Sequence, residues 1–319
     1  MDVHEVVAIT RGVLKSRPYV SKFTHTTHRA SQVKHGSLFV ALDPQQIDLA
    51  LSLGAYGILY DQEVPISDTE VAWIYVPNLD MAVEKLLYYK LLEAPAIFGV
   101  CAVEFAILQK IAPEGLLFFE GSKLDLLDFN LSAPCVIWQD SLPSRLFKPK
   151  TIPLEPMPFE ILLPELFSMS ICYQHKRYDL KLSSFYAPQL AKALHICTLA
   201  GVIAHLDRLG VLNFMQPFYT NPQLEPCAFG QSAQILILEK QSQSLLQMAR
   251  FAHTITPWQQ IQIFTPKPLP APHVLYSDLP HLRQILQTTP YTLGFIGGDF
   301  EIQQILKPKK SPKGLFDGL

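Results

Sequence analysis

The strongest constraint on the fold of this chain is the alternation of short apolar runs with amphipathic segments near its amino end. Such alternation is typical of α/β domains, in which helices cover the faces of a largely parallel sheet. We therefore predict a small α/β domain over residues 1–94. The strand-like runs are residues 37–42, 56–60 and 71–76, and the segments with helical spacing are residues 46–53 and 79–92.

The same alternation returns near the carboxyl end, where it predicts a Rossmann-like, doubly wound domain over residues 226–319. Residues from Lys307 onward form a basic tail. The predicted strands are residues 233–238, 260–264, 273–276 and 291–296. One predicted helix follows the first strand and ends near residue 251, and a second spans residues 279–286.

A shorter central domain is predicted between these two domains, over residues 95–225. A strand over residues 96–100 precedes a short helix over 103–111, a β-hairpin is predicted over 167–182, and one apolar helix over 187–209. The predicted fold class is therefore α/β, with an amino-terminal α/β domain, a shortened central region and a Rossmann-like carboxyl-terminal domain.

Composition narrows the range of functions. Hydrophobic residues make up 49% and charged residues 17% of the chain, with a net charge of -2, so large cores are expected and a nucleic-acid partner is not. The sequence contains no apolar run of about eighteen residues, the minimum for a membrane span, and its first residues lack the pattern of a signal peptide, so a cytoplasmic protein is expected. Scattered cysteines predict reduced thiols rather than disulfides or a metal site. They are Cys101, Cys135, Cys172, Cys197 and Cys227.

Two segments carry a resemblance to a known family. Residues 31–42 read Ser-Gln-Val-Lys-His-Gly-Ser-Leu-Phe-Val-Ala-Leu, and residues 185–194 read Phe-Tyr-Ala-Pro-Gln-Leu-Ala-Lys-Ala-Leu. They resemble the Mur ligases, ATP-dependent enzymes that add amino acids or dipeptides to UDP-muramoyl peptides. The pattern is most similar to the members that add D-alanyl-D-alanine. The resemblance implies that residues 1–94 hold the UDP end of a substrate and that the carboxyl-terminal domain closes over ATP.

The phosphate-binding loop of that family, Gly-x-x-Gly-Lys-Thr, is degenerate in this chain. Its place reads Ala96-Ile-Phe-Gly-Val-Cys-Ala-Val-Glu, in which only Gly99 of the loop survives and Cys101 stands among bulky residues. A phosphate loop needs small residues, a lysine and a hydroxyl that holds magnesium. Glu104 would repel a triphosphate, and Lys110 lies about three helical turns away from Gly99. We therefore predict no ATP cofactor and no catalytic residue.

Other family positions keep only vestiges of a substrate site. The family's Asp-Ser-Arg falls on Arg29-Ala30-Ser31, so Arg29, Ser31 and Gln32 are the candidate substrate-binding residues. Glu239, at the end of a predicted strand, is a further candidate, with a charge at a helix start as the alternative.

These observations favour a catalytically inactive Mur-ligase-like protein. It would bind a UDP-muramoyl peptide or an enzyme of peptidoglycan synthesis and influence wall assembly or cell shape. The alternatives are an active ATP-dependent ligase with a remodelled nucleotide site, and an assembly protein without a ligand. A homodimer is also considered, because a shortened central domain leaves apolar surface to be covered.

Overall fold

The computed structural model describes residues 1–138, 150, 152, 156–232 and 234–307. It forms two compact units. The first comprises Met1–Pro153 with Lys192–His205, and the second comprises Leu154–Ala191 with Leu206–Leu319. The predicted division into three domains stays a prediction.

The first unit begins with a five-stranded sheet in the order β1-β5-β4-β3-β2. Strands β2 to β5 run parallel, and β1 pairs with β5 in the antiparallel sense. The strands are β1 (Val13–Leu14), β2 (Thr26–Thr27), β3 (Ser37–Val40), β4 (Ala55–Tyr60) and β5 (Ala72–Tyr75). The helices are α1 (Val3–Thr10), α2 (Ile47–Ser52) and α3 (Leu79–Leu92), with 3-10 turns at Ala30–Gln32 and Pro44–Gln46.

Both faces of this sheet are covered, which explains why its strands read as continuous apolar runs. Alternate residues of β3 point to opposite faces, so Leu38 and Val40 pack in the cluster of α1 and α3, while Phe39 packs in the cluster of α2. The first of these clusters also includes Ile97 and Ile137, so this core extends beyond the predicted boundary at residue 94.

The rest of the first unit contains a three-stranded parallel sheet in the order β6-β8-β7. Its elements are β6 (Ile97–Val100), α4 (Ala102–Ile111), β7 (Leu117–Phe119), α5 (Asp125–Asp128) and β8 (Cys135–Trp138).

Helix α6 spans Ala187–Ala200, and the division between the two units falls within it. The prediction that this helix continues to residue 209 is wrong. Gly201 adopts a left-handed φ of 69°, and the backbone N–H of Val202 donates to the carbonyl of Cys197 at 2.8 Å. This is a Schellman-type helix end, which glycine favours because it has no Cβ.

The second unit contains the predicted hairpin as part of a three-stranded antiparallel sheet. Gln174 and His175 form its turn with φ values of 50° and 61°, as a two-residue hairpin turn of the primed type requires. The strands are β9 (Glu160–Pro164), β10 (Met169–Tyr173) and β11 (Lys176–Leu180).

The second unit also contains a doubly wound domain, which confirms the Rossmann-like prediction. Its sheet has the order β12-β13-β16-β14-β15, in which only β12 is antiparallel. A Cβ on Gly297 would lie 2.9 Å from Leu245 of α7, whereas Leu236 packs in one cluster with Leu282 of α8. The two helices thus cover opposite faces, because residues 236 and 297 project to different sides of the paired strands β13 and β16. The elements are β12 (Phe218–Thr220), β13 (Gln234–Glu239), α7 (Ser242–Ile255), β14 (Ile261–Thr265), β15 (Val274–Leu275), α8 (Leu279–Thr288) and β16 (Leu293–Gly297).

Among the described residues, none of the helices combines the length and the apolar character needed to cross a membrane.

Candidate functional site

The segment predicted to be a degenerate phosphate loop falls on the end of β6 and the turn into α4. Gly99 lies inside β6, opposite Ile137 of β8, so of the two predicted loop residues only Cys101 lies in the turn itself. Burial raises the pKa of the Cys101 thiol, which keeps it protonated and uncharged near neutral pH. Helix α4 then begins at Ala102.

A carboxylate of the chain itself lies at the start of α4. Glu104 is the third residue of the helix, and its Oε2 accepts the backbone N–H of Cys101 at 2.9 Å. The N–H groups at a helix start have no partner within the helix and attract anions. Glu104 therefore supplies from within the chain the negative charge that this helix end favours.

Lys192 of α6 neutralises this carboxylate. Its Nζ lies 2.7 Å from Oε2 of Glu104, and the two side chains are only 20% and 9% exposed. A buried charge is stable only when it is paired and hydrogen-bonded, and this geometry meets both conditions.

Lys192 is not among the site residues predicted from the sequence, and Glu104 was predicted only to repel a triphosphate. The available signal was a single Lys or Arg in the long apolar segment that became α6, together with one acidic residue in the apolar helix α4. Single charges of opposite sign in two apolar helices are compatible with a buried pair, but the sequence alone does not bring them together.

Arg29 lies after β2 and forms an ion pair with Asp125 of α5. Hydrogen bonding from the Ser122 side chain, followed by the smaller effect of the Arg29 charge, holds the pKa of Asp125 below its ordinary value. Beside this pair, His28 Nδ1 lies 3.7 Å from Asp128 Oδ2. The candidate substrate residue Arg29 is thus in contact with a carboxylate of its own chain.

The other two candidates of this segment, Ser31 and Gln32, lie in the 3-10 turn and are exposed. The backbone oxygen of Gln32 lies 3.4 Å from Nε2 of His25. The three candidates Arg29, Ser31 and Gln32 thus follow the carboxyl end of β2. The side chains of Ser31 and Gln32 are exposed, and that of Arg29 is paired with Asp125.

Glu239 belongs to the second unit, at the carboxyl end of β13. Its Oε1 accepts the backbone N–H of Gln241 at 2.9 Å, in the turn that leads into α7. This contact agrees with the alternative interpretation, a charge that stabilises a helix start. The neighbouring Lys240 pairs with Asp299 at 2.5 Å.

A cavity of about 800 Å³ lies elsewhere in the first unit, and none of the predicted site residues lines it. Its wall combines the start of α1 with Phe23, Lys90 and Phe129. Lys90 Nζ donates to the carbonyl of Leu126 at 3.0 Å, and burial lowers its pKa to about 8. Within the described part of the chain, no three His, Cys, Asp or Glu side chains are grouped so that they could hold a metal ion.

At the β6–α4 turn, two groups that could contact a phosphate are already engaged within the chain. The N–H of Cys101 and the charge of Lys192 are both used by Glu104, and a bound triphosphate would lie against that buried carboxylate.

Solved structures that are similar to this chain in fold include two MurF ligases. The MurF ligase of Thermotoga maritima, solved in complex with ADP, is 13% identical and has a TM-score of 0.54, with 88% of this chain and 96% of that chain covered. MurF from Acinetobacter baumannii is also 13% identical and has a TM-score of 0.52, with 95% and 97% covered. No family model and no curated protein sequence matches the chain. At this level of identity the likeness concerns the path of the backbone, and the chain therefore has a Mur-ligase-like fold.

Proposed function

We propose that this protein acts by binding and not by catalysis, because its own side chains occupy the place where the related fold would hold a nucleotide. The observation that carries the proposal is the Glu104–Lys192 pair at the start of α4. In this proposal ATP is not a cofactor.

The energetic argument compares the internal pair with a bound phosphate. A phosphate at this turn would compete with Glu104 for the same helix end and for the same lysine. Separating a buried ion pair costs about 3–5 kcal/mol, because one charge is left without compensation. That cost corresponds to a loss of roughly two to four orders of magnitude in affinity.

The proposed ligand is a UDP-muramoyl peptide or an enzyme of peptidoglycan synthesis. The amino-terminal α/β domain supports this choice, since it keeps the fold while Arg29, Ser31 and Gln32 remain at the carboxyl end of β2. The protein would act in the cytoplasm and influence wall assembly or cell shape.

Isothermal titration with ATP–Mg tests the negative half of this proposal. We expect no binding to the wild-type protein up to millimolar ATP. Glu104→Ala frees both the helix end and Lys192, so this variant should gain weak, millimolar affinity for ATP or inorganic phosphate. Glu120→Ala, which removes an exposed carboxylate of the same unit, is the matched control and should change nothing. Micromolar binding of ATP–Mg to the wild-type protein would overturn the proposal.

A second candidate function is an active ligase with a remodelled nucleotide site. The observation that favours it is Lys192, which brings a cation to the β6–α4 turn from another helix although the loop lysine is missing. Mass spectrometry after incubation with a UDP-muramoyl peptide, D-alanyl-D-alanine and ATP distinguishes the two. A product heavier by one dipeptide would establish the ligase, and unchanged precursor would exclude ligation of this dipeptide.

A further inference from the structure

Helix α3 exposes an apolar stripe on the side that faces away from its sheet. Met81 is 58%, Tyr88 50% and Leu92 65% exposed, although residues 82, 83, 86 and 87 of the same helix are buried. Lys85 completes the stripe, and Ile9 of α1 forms the other wall of a groove of about 450 Å³ beside it. Large apolar side chains grouped in this way on a surface mark an interaction site more often than isolated ones do.

The spacing of the stripe is that of a helix-pairing seam. Residues 81, 85, 88 and 92 follow one another at intervals of four, three and four, which keeps them on one line along the helix. The line is about 16 Å long, since each helical residue rises 1.5 Å. A seam of this spacing fits another helix that packs at a shallow angle.

The stripe is complementary to itself when two copies run antiparallel. A two-fold axis midway between Lys85 and Tyr88 brings Met81 opposite Leu92 of the second copy and Lys85 opposite Tyr88 of the second copy. The first contact is apolar, and the second lays the aliphatic part of a lysine side chain along an aromatic ring, which is also an apolar contact. Each contact occurs twice by symmetry.

Lys85 fits this arrangement because its charge is drawn away from the axis. Its Nζ donates to the backbone carbonyl of Thr10 at 3.3 Å, at the end of α1. The aliphatic part of the side chain can then lie along the stripe while the ammonium group stays hydrogen-bonded. The two lysines of a pair therefore need not repel each other across the axis.

We infer that α3 is the interface of a homodimer, in which the stripe of Met81, Lys85, Tyr88 and Leu92 packs antiparallel against the same stripe of a second copy. The contact covers three helical turns, which is less than the roughly 800 Å² per partner of a standard stable interface. The dimer therefore depends on protein concentration. The inference is independent of nucleotide binding.

Sedimentation equilibrium of the full chain between about 1 and 500 µM tests it. The average mass of the wild-type protein should rise from one chain toward two. Tyr88→Lys places two lysines opposite each other at both central contacts and should keep the protein at the mass of one chain. Adding Lys85→Glu to this variant creates an opposite-charge pair across the axis, so the double variant should recover the dimer.

Trp258→Lys is the matched control, because it exchanges another aromatic residue that is 76% exposed, in the second unit, and should dimerise like the wild type. Circular dichroism checks that all variants are folded. The inference is overturned by a wild-type protein that stays at one chain throughout, by a Tyr88→Lys variant that still dimerises, or by failure of the Lys85→Glu exchange to restore the dimer.

Discussion

Glu104 and Lys192 illustrate, at the scale of single residues, that a buried charge stabilises a fold only together with its partner. Glu104 also accepts the N–H of Cys101, so it connects the start of α4 with α6. Loss of one partner leaves the other desolvated and uncompensated, whereas loss of both leaves two neutral side chains in an apolar environment. The pair is therefore a site where single and double substitutions differ in outcome.

We predict that Lys192→Met lowers the free energy of unfolding of the first unit by about 3 kcal/mol, because the Glu104 carboxylate stays buried without a cation. Urea denaturation at pH 7 measures this loss. Glu104→Gln combined with Lys192→Met should recover most of it, to within about 1 kcal/mol of the wild type, since no charge remains buried. Lys110→Met, on the exposed side of α4, is the control and should change the stability by less than about 0.5 kcal/mol. Additive losses in the double variant would contradict the coupling.

The pair also shows which part of the candidate site the sequence could not give. An altered phosphate loop is predicted from the sequence, because Gly99 is followed by bulky residues, and it stays a prediction. The partners Glu104 and Lys192, however, are 88 positions apart on different helices, and their contact depends on the way α6 packs against α4. The contact between Arg29 and Asp125 could not be predicted for the same reason, since the two residues are 96 positions apart.

At the scale of helices and strands, the sequence predicts those elements whose position is determined by burial alone. The edge strands β1, β2 and β12, each of two or three residues, were not predicted. Strands β3 to β5 and β13 to β16 were recognisable as apolar runs, because their sheets are covered on two faces. The end of α6 was not, since apolar residues continue to Leu209 and hide the boundary at Gly201. Backbone hydrogen bonding at that glycine, and not hydrophobicity, ends the helix.

Strand β4 offers a test of packing at this scale. A Cβ on Gly57 would lie 2.5 Å from the ring of Phe23 and 3.0 Å from Leu38. Gly57→Ala should therefore lower the free energy of unfolding by about 2 kcal/mol, because a fully packed core cannot take up another methyl group without shifts. Thermal and urea denaturation measure the effect. Gly210→Ala is the control, since a Cβ there meets nothing within 4 Å and the substitution should be neutral or slightly stabilising. Equal stability of the two variants would show that Phe23 moves aside at little cost.

At the scale of the whole molecule, a shared backbone path does not imply a shared chemistry. The chain shares a fold with two MurF ligases at 13% identity, yet the groups around its β6–α4 turn are Cys101, Glu104 and Lys192. A fold positions a site, but the side chains at that site decide what it can do.

The chain divides into two compact units, and this division predicts how the protein unfolds. Leu59 of the first unit and Leu282 of the second are both fully buried, in different clusters. Truncation of a buried leucine to alanine costs about 2–5 kcal/mol, which lowers the melting temperature of the affected unit by roughly 5–15 °C. Differential scanning calorimetry should accordingly resolve two transitions, of which Leu59→Ala shifts one and Leu282→Ala shifts the other. If both variants instead displaced one shared transition equally, with calorimetric and van't Hoff enthalpies in agreement, the chain would unfold as a single cooperative unit and the predicted independence would be wrong.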